Sequence, residues 1–158
     1  MTAGTTPRPT DTELAVWRTF LRAHAQITRR LEADLLAAHA LPLAEYDVLV
    51  QLAHAPDRRL RMTELADRVL LSRSGLTRLV DRLVRAGLVE RQACPDDARG
   101  ILAVLTGAGL ERLRAASPTH LAGIAAYATG RLAPDELAEL GRLLLRLVEE
   151  GRGVPARD

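Results

Sequence analysis

At 158 residues the chain has the length of one ordinary domain and can bury a core without disulfides or metals; hydrophobic residues at 47% with aromatics at only 3% suit a mostly α protein packed by Leu, Ala and Val, and not a β-sandwich. All 22 basic residues are arginine, against 20 acidic ones and a net charge of +2, yet residues 58–91 hold nine arginines against only Glu64, Asp67, Asp81 and Glu90, so permanent positive charge is concentrated in one segment. The lone Cys94 excludes an intramolecular disulfide and a multi-Cys zinc site, and neither the opening MTAGTTPRPT nor the uncharged stretch AASPTHLAGIAAYATG is long and apolar enough for a leader or a bilayer span; a soluble cytoplasmic protein without membrane contact is expected.

Residues 1–10 offer nothing to bury and read as a disordered lead-in. From Asp11, a candidate N-cap, Leu14, Trp17, Phe20, Leu21, His24, Ile27, Leu31 and Leu35 recur at steps of three and four, which predicts one long amphipathic helix over 11–39, ended by HALP. Leu43, Tyr46, Val48, Leu49 and Leu52 predict a second, shorter helix stopped by Pro56, with DRRL as a connector. A compact third helix, ELADRVL, follows Thr63, and Ser72 caps a fourth. At about 100° per residue, Leu76, Leu79, Val80 and Leu83 share one face of that helix while Ser74, Arg78, Asp81 and Arg85 point away, flanked by Thr77 and Arg82.

Gly87 closes the fourth helix, and LVERQ and ILAVLT around the turn-rich ACPDDARG predict a hairpin of two short strands. Leu110, Leu113, Leu121, Ile124 and Tyr127 resume a helical pattern, with Pro118 expected to start, kink or break a turn. Pro134 opens a last helix striped by Leu137, Leu140, Leu144, Leu147 and Val148, and residues 151–158 read as a flexible tail. The compact centre, residues 40–109, cannot cover the apolar stripes of helices 11–39 and 110–150, so both ends are expected to form a two-fold dimer interface, the alternative being that they pack only within one chain.

A short helix, a tight connection and a second helix with a basic outer face is the helix-turn-helix arrangement that places its second helix in the DNA major groove. Arg73, Arg78 and Arg82 can bind guanine edges in pairs or displace counterions from phosphates; Ser72, Ser74 and Thr77 lie where hydroxyls and free N–H groups of the helix start meet phosphates or bases. The plain alternative is a solvated helix face. An enzyme is not expected: the chain has no nucleophile–base motif, no glycine-rich phosphate cradle and no set of metal ligands, so neither cofactor nor metal is called for.

The ordered series ELA, SRSGLTRLVDRL, GLVER, then Asp97, Ala98 and Arg99, then LT and Gly109 closely resembles the winged helix-turn-helix core of the MarR family, the multiple antibiotic resistance type of transcriptional regulators. The resemblance covers residues 40–109 at motif level. It implies a two-stranded β wing, flanking N- and C-terminal dimerisation helices, and a homodimer acting as a ligand-responsive repressor on a palindromic double-stranded DNA operator. It implies further that Asp97 braces Arg99 for the minor groove, and that a small aromatic or phenolic acid is the effector, with Trp17, Phe20, His24 and Tyr46 as candidates to line its cleft. The wing tip departs from the family in Cys94, Pro95 and the extra carboxylate Asp96. Two alternatives stay open: an oxidant sensor acting through Cys94, and a winged helix that serves only protein interaction.

Overall fold

The structure, a computed structural model, describes residues 8–69, 71–95 and 97–149, and of Ala98, Arg99 and Glu149 the backbone only. The expected tail at 151–158 and most of the lead-in lie outside the described residues. Helix α1 spans Asp11–His39. Its N-cap is Thr10 and not Asp11: the Thr10 hydroxyl accepts from the Glu13 N–H while the Glu13 carboxylate accepts from the Thr10 N–H. This capping box satisfies two otherwise orphaned donors, which Asp11, one position too late, cannot do. Ala40 turns the chain in the left-handed region at φ 47°, and α2 follows as Leu43–His54, burying Tyr46, Val48, Leu49 and Leu52.

The expected connector DRRL is a single turn, Pro56–Arg58, running into a third strand, β1, Arg59–Arg61. Helix α3 spans Met62–Val69 and α4 spans Arg73–Arg85. The wing strands β2, Val89–Cys94, and β3, Asp97–Leu105, reach further towards the tip than the apolar run ILAVLT predicts. The sheet is antiparallel in the order β1-β3-β2, with Leu60 opposite Ala103 and Arg91 opposite the same Ala103 on the other side. The hairpin is therefore a three-stranded sheet, its inner edge protected by β1.

Helix α5 runs over Gly107–Tyr127 through Pro118, so of the start, kink or break expected there, the helix neither starts nor breaks. Proline removes one intrahelical donor, but Leu113, Ala116 and Gly123 bury the helix on both sides of it; tertiary packing outweighs the lost bond. At Gly123 a Cβ would stand 2.7 Å from a Leu31 methyl, so its small size lets α5 close on α1. Helix α6, Pro134–Glu149, completes the chain.

One apolar core joins Leu35 of α1, Leu49 and Leu52 of α2, Leu65 of α3, Leu76, Val80 and Leu83 of α4, and Val89 and Ala103 of the sheet. It orients the surface that matters: α4 is clamped by its inner leucines and its other side faces out. The α6 helix contributes nothing to this core. Its Leu137, Leu140, Leu144, Leu147 and Val148 are exposed, as are Val16, Trp17, Phe20 and Leu21 on the first half of α1.

Candidate nucleic-acid interface

The α4 helix starts at a formed cap. The Ser72 hydroxyl accepts from the Gly75 N–H at 3.1 Å and lies 3.3 Å from the Ser74 hydroxyl, so both serines stand at the positive end of the helix. Leu76, Leu79, Val80 and Leu83 are buried as their spacing predicts, and Arg73, Ser74, Thr77, Arg78 and Arg82 are exposed. Thr77 spends its hydroxyl proton on the Arg73 carbonyl at 2.8 Å, leaving oxygen lone pairs outward.

The arginines of this face are in different states. Arg82 donates from Nε to Glu45 Oε1 of α2 at 2.9 Å, and Arg85 turns back to the Asp81 carbonyl at 3.3 Å. From β2, Arg91 pairs with Asp81 and reaches the Thr77 carbonyl, fastening the wing to α4. Arg73 and Arg78 have no ion-pair partner among the described residues. With Arg85 held only by a backbone carbonyl, three guanidiniums of α4 are without a carboxylate among the described residues, and Arg73 and Arg78 are exposed to solvent, the arrangement that attracts an acidic partner.

At the wing, pairing slips between Ala93 and Cys94, so that Cys94 faces Asp97. Asp97 Oδ2 accepts from Arg61 Nη1 of β1 at 3.1 Å. Gly100 makes that pair possible: a Cβ there would stand 2.9 Å from Cys94 Cβ, 3.0 Å from Arg61 Nη1 and 3.2 Å from Asp97 Oδ2. Arg61 escaped the sequence reading because β1 did; its signal was only its place in a dense run of arginines. Arg61, Thr63, Thr77, Arg91, Asp97 and Ile101 line a groove of about 420 Å³ between α4 and the wing. Arg99 belongs to β3 by its backbone, and its side chain, like the whole of Asp96, lies outside the described residues. Cys94 is buried at the base of the tip.

The base of the wing is latched to α5. Thr106 donates from its hydroxyl to the Gly87 carbonyl at 2.7 Å and from its N–H to the Leu88 carbonyl at 3.2 Å, while its oxygen caps Gly109 at 3.0 Å. Gly87 takes φ 71°, which favours glycine at this helix end.

The four effector candidates do not form one cluster within the chain. Trp17 and Phe20 stack with ring centroids 5.9 Å apart on the exposed half of α1, where His24 is exposed as well. Tyr46 is in the core, its hydroxyl 3.3 Å from Ser117 and its ring 4.4 Å from that of His120. By helical rise Trp17 stands about 21 Å along α1 from Leu31, where α1 meets α5. The contact with His120 has no sequence signal, since 74 positions separate the two residues. His120 Nδ1 is buried with no hydrogen-bond partner among the described residues; burial lowers the imidazole's pKa while the Asp47 charge opposes that shift. Asp47 is held above the usual carboxylate range by desolvation, with His120 opposing and Glu32 adding to the rise. Among the described residues no group of three or more His, Cys, Asp or Glu is arranged to hold a metal ion, and no single helix is long and apolar enough to cross a membrane.

Residues 40–100 match the model of the MarR family. The match ends at Gly100, beside the Arg61–Asp97 pair, and so takes in α2 to α4 and most of the wing. The HTH-type transcriptional regulator MhqR of Bacillus subtilis (strain 168) is 30% identical over 115 residues, 73% of this chain and 77% of that protein. The chain belongs to the MarR family. Within it, the HTH-type transcriptional repressor YetL of the same organism is 37% identical over 90 residues, 57% of this chain and 54% of that protein, so the chain matches only about half of YetL's length. The crystal structure of Sco3205, a MarR family transcriptional regulator from Streptomyces coelicolor in complex with DNA, shares 37% identity and covers 98% of this chain and 96% of its own, with a TM-score of 0.88. MarR family proteins are transcriptional regulators and not enzymes, and the winged helix-turn-helix described above is the family's fold.

Proposed function

We propose that this MarR family regulator binds double-stranded DNA as a homodimer and represses transcription from a palindromic operator in the cytoplasm. The observation that carries the DNA reading is the pair Arg73 and Arg78, exposed on α4 without a carboxylate partner among the described residues while Arg61, Arg82 and Arg91 around them are held by acids. In the major groove these two, with Ser72, Ser74, Thr77 and Arg82, supply base and phosphate contacts. By resemblance Asp97 braces Arg99 in the minor groove, where a narrow groove's negative potential favours arginine.

The dimer is supported by the apolar faces of α6 and the first half of α1, which nothing among the described residues covers. Two copies set their recognition helices about 34–36 Å apart, one turn of duplex. Repression is supported by the name of YetL, and the DNA partner by the Sco3205 complex. An effector, a small aromatic or phenolic acid, is supported by the family and by the exposed Trp17–Phe20 stack beside His24; it acts only by preferring one dimer geometry over another.

The test is a titration of duplex carrying the chain's own upstream region, or an operator selected from a random duplex pool, at two salt concentrations. Saturable binding to one palindrome that weakens by a log–log slope of about −0.9 per phosphate contacted supports the reading, as does a loss of about 1–3 kcal/mol in Arg78→Ala. Affinity indifferent to both salt and Arg78 would overturn it in favour of a protein-binding winged helix.

A further inference from the structure

The four arginines of α4 differ in what holds them, and Arg82 is the one fixed from outside its own helix. Its Nε donates to Glu45 Oε1 at 2.9 Å across 37 residues of chain, and its Nη1 lies 3.5 Å from the Arg78 carbonyl. The two ends of the pair are unequally covered: the Glu45 side chain is 15% exposed and that of Arg82 50%. The backbone that carries Glu45 is anchored, because Tyr46 next to it is in the core and the Leu43 N–H at the start of α2 is held by Glu32. By contrast the ion pairs Arg68–Glu64 and Arg142–Glu139 join neighbours on one helix and are open at both partners.

An arginine tethered at Nε has its plane set, and here Nη2 and the second N–H of Nη1 are left for another acceptor. Binding then does not have to order a rotamer-rich side chain. We propose that Glu45, which lies outside the recognition helix, is a positioning residue for DNA readout: it holds the Arg82 guanidinium beside Arg78 in the orientation that the specific complex uses. This inference rests on the DNA reading above and assigns α2 a share in sequence discrimination.

Removing a carboxylate near a polyanion raises affinity for every duplex, so bare affinity cannot test positioning. The ratio of affinities for the selected operator and for a scrambled duplex at one salt concentration can, because the charge effect cancels. That ratio is measured for the full chain and for Glu45→Ala, Arg82→Ala, the double variant and Arg78→Ala, each checked by circular dichroism and thermal melting. The ratio is expected to fall about two- to tenfold in each of Glu45→Ala and Arg82→Ala, the ordering cost of one long side chain, and no further in the double variant, since the two act as one unit. An unchanged ratio in Glu45→Ala, or two losses that multiply in the double variant, overturns the proposal. If Glu45→Ala does not fold, Glu45→Leu, which keeps much of the bulk and removes the acceptor, is expected to lower the ratio in the same direction, and an unchanged ratio there overturns it equally. Arg78→Ala separates the two levels of inference: a loss there with no change at Glu45 and Arg82 defeats the positioning role alone, while no change in any variant defeats the DNA face and this proposal with it.

Discussion

His120 of α5 and Asp47 of α2 feel each other's charge, and their proton affinities are displaced in opposite directions. Burial disfavours the imidazolium of His120, so its folded pKa lies below the ordinary 6.5. The unfolded chain therefore binds more protons in the window between that lowered value and 6.5, and stability present above 6.5 declines as the pH falls through the window. Asp47, raised above 3.8 with desolvation as the main cause, acts the other way: its ionised form is the costly one, so its protonation at lower pH restores some stability. The melting temperature is expected to decline as pH is lowered from 7 into the window, and His120→Phe, which keeps a ring against Tyr46, is expected to flatten that decline; an unchanged slope would remove His120 as its source. At this scale the sequence exposed outward residues better than contacts. Ser74, Thr77, Arg78, Arg82 and Arg85 stand where helical spacing predicts, because a period suffices to say which side chains face out. His120 on Tyr46, Arg61 on Asp97 and Arg82 on Glu45 arise from long-range approach, which no local pattern encodes.

Among the elements, α4 and the long helices were legible because several turns of apolar residues repeat one period. The strand β1 was not: three residues give no period, and Arg59 and Arg61 flank a single buried Leu60, which reads equally as a polar connector. Proline at 118 misled in the opposite sense, since a local cost is visible in sequence and the packing that outweighs it is not. The junction of wing and α5 depends on a glycine whose role is equally hidden. A Cβ on Gly109 would lie 2.1 Å from the Leu88 carbonyl oxygen and 2.7 Å from a Leu105 methyl, and a backbone carbonyl cannot rotate aside as a side-chain tip can. Gly109→Ala is expected to destabilise the fold by about 1–3 kcal/mol, the usual cost of overpacking, in a chemical denaturation midpoint. An unaffected midpoint would show that the start of α5 is free to shift.

For the whole molecule the decisive feature is a helix with no core of its own. The α6 leucines are as exposed in one chain as they are regular in sequence, so the pairing of two chains proposed above is what removes them from water. Replacing Leu140 and Leu144 together by Asp places two charges on that face and is expected to yield a monomer in sedimentation while the winged lobe, whose core excludes α6, keeps its circular dichroism. Operator affinity should then fall about 10²- to 10⁴-fold through loss of the second half-site; a dimer that survives the change would move the interface elsewhere. The latch of Thr106 on Gly87 and Leu88 gives this assembly its mechanics. The wing is tied by its base to the first turn of α5 and by Arg91 to α4, so a tilt of α5 swings strand, turn and reading helix as a single lever. A signal reaching the proposed two-fold seam would then leave each reading head intact and change only the span between the two heads, like callipers opened past the width of the object they were set to measure.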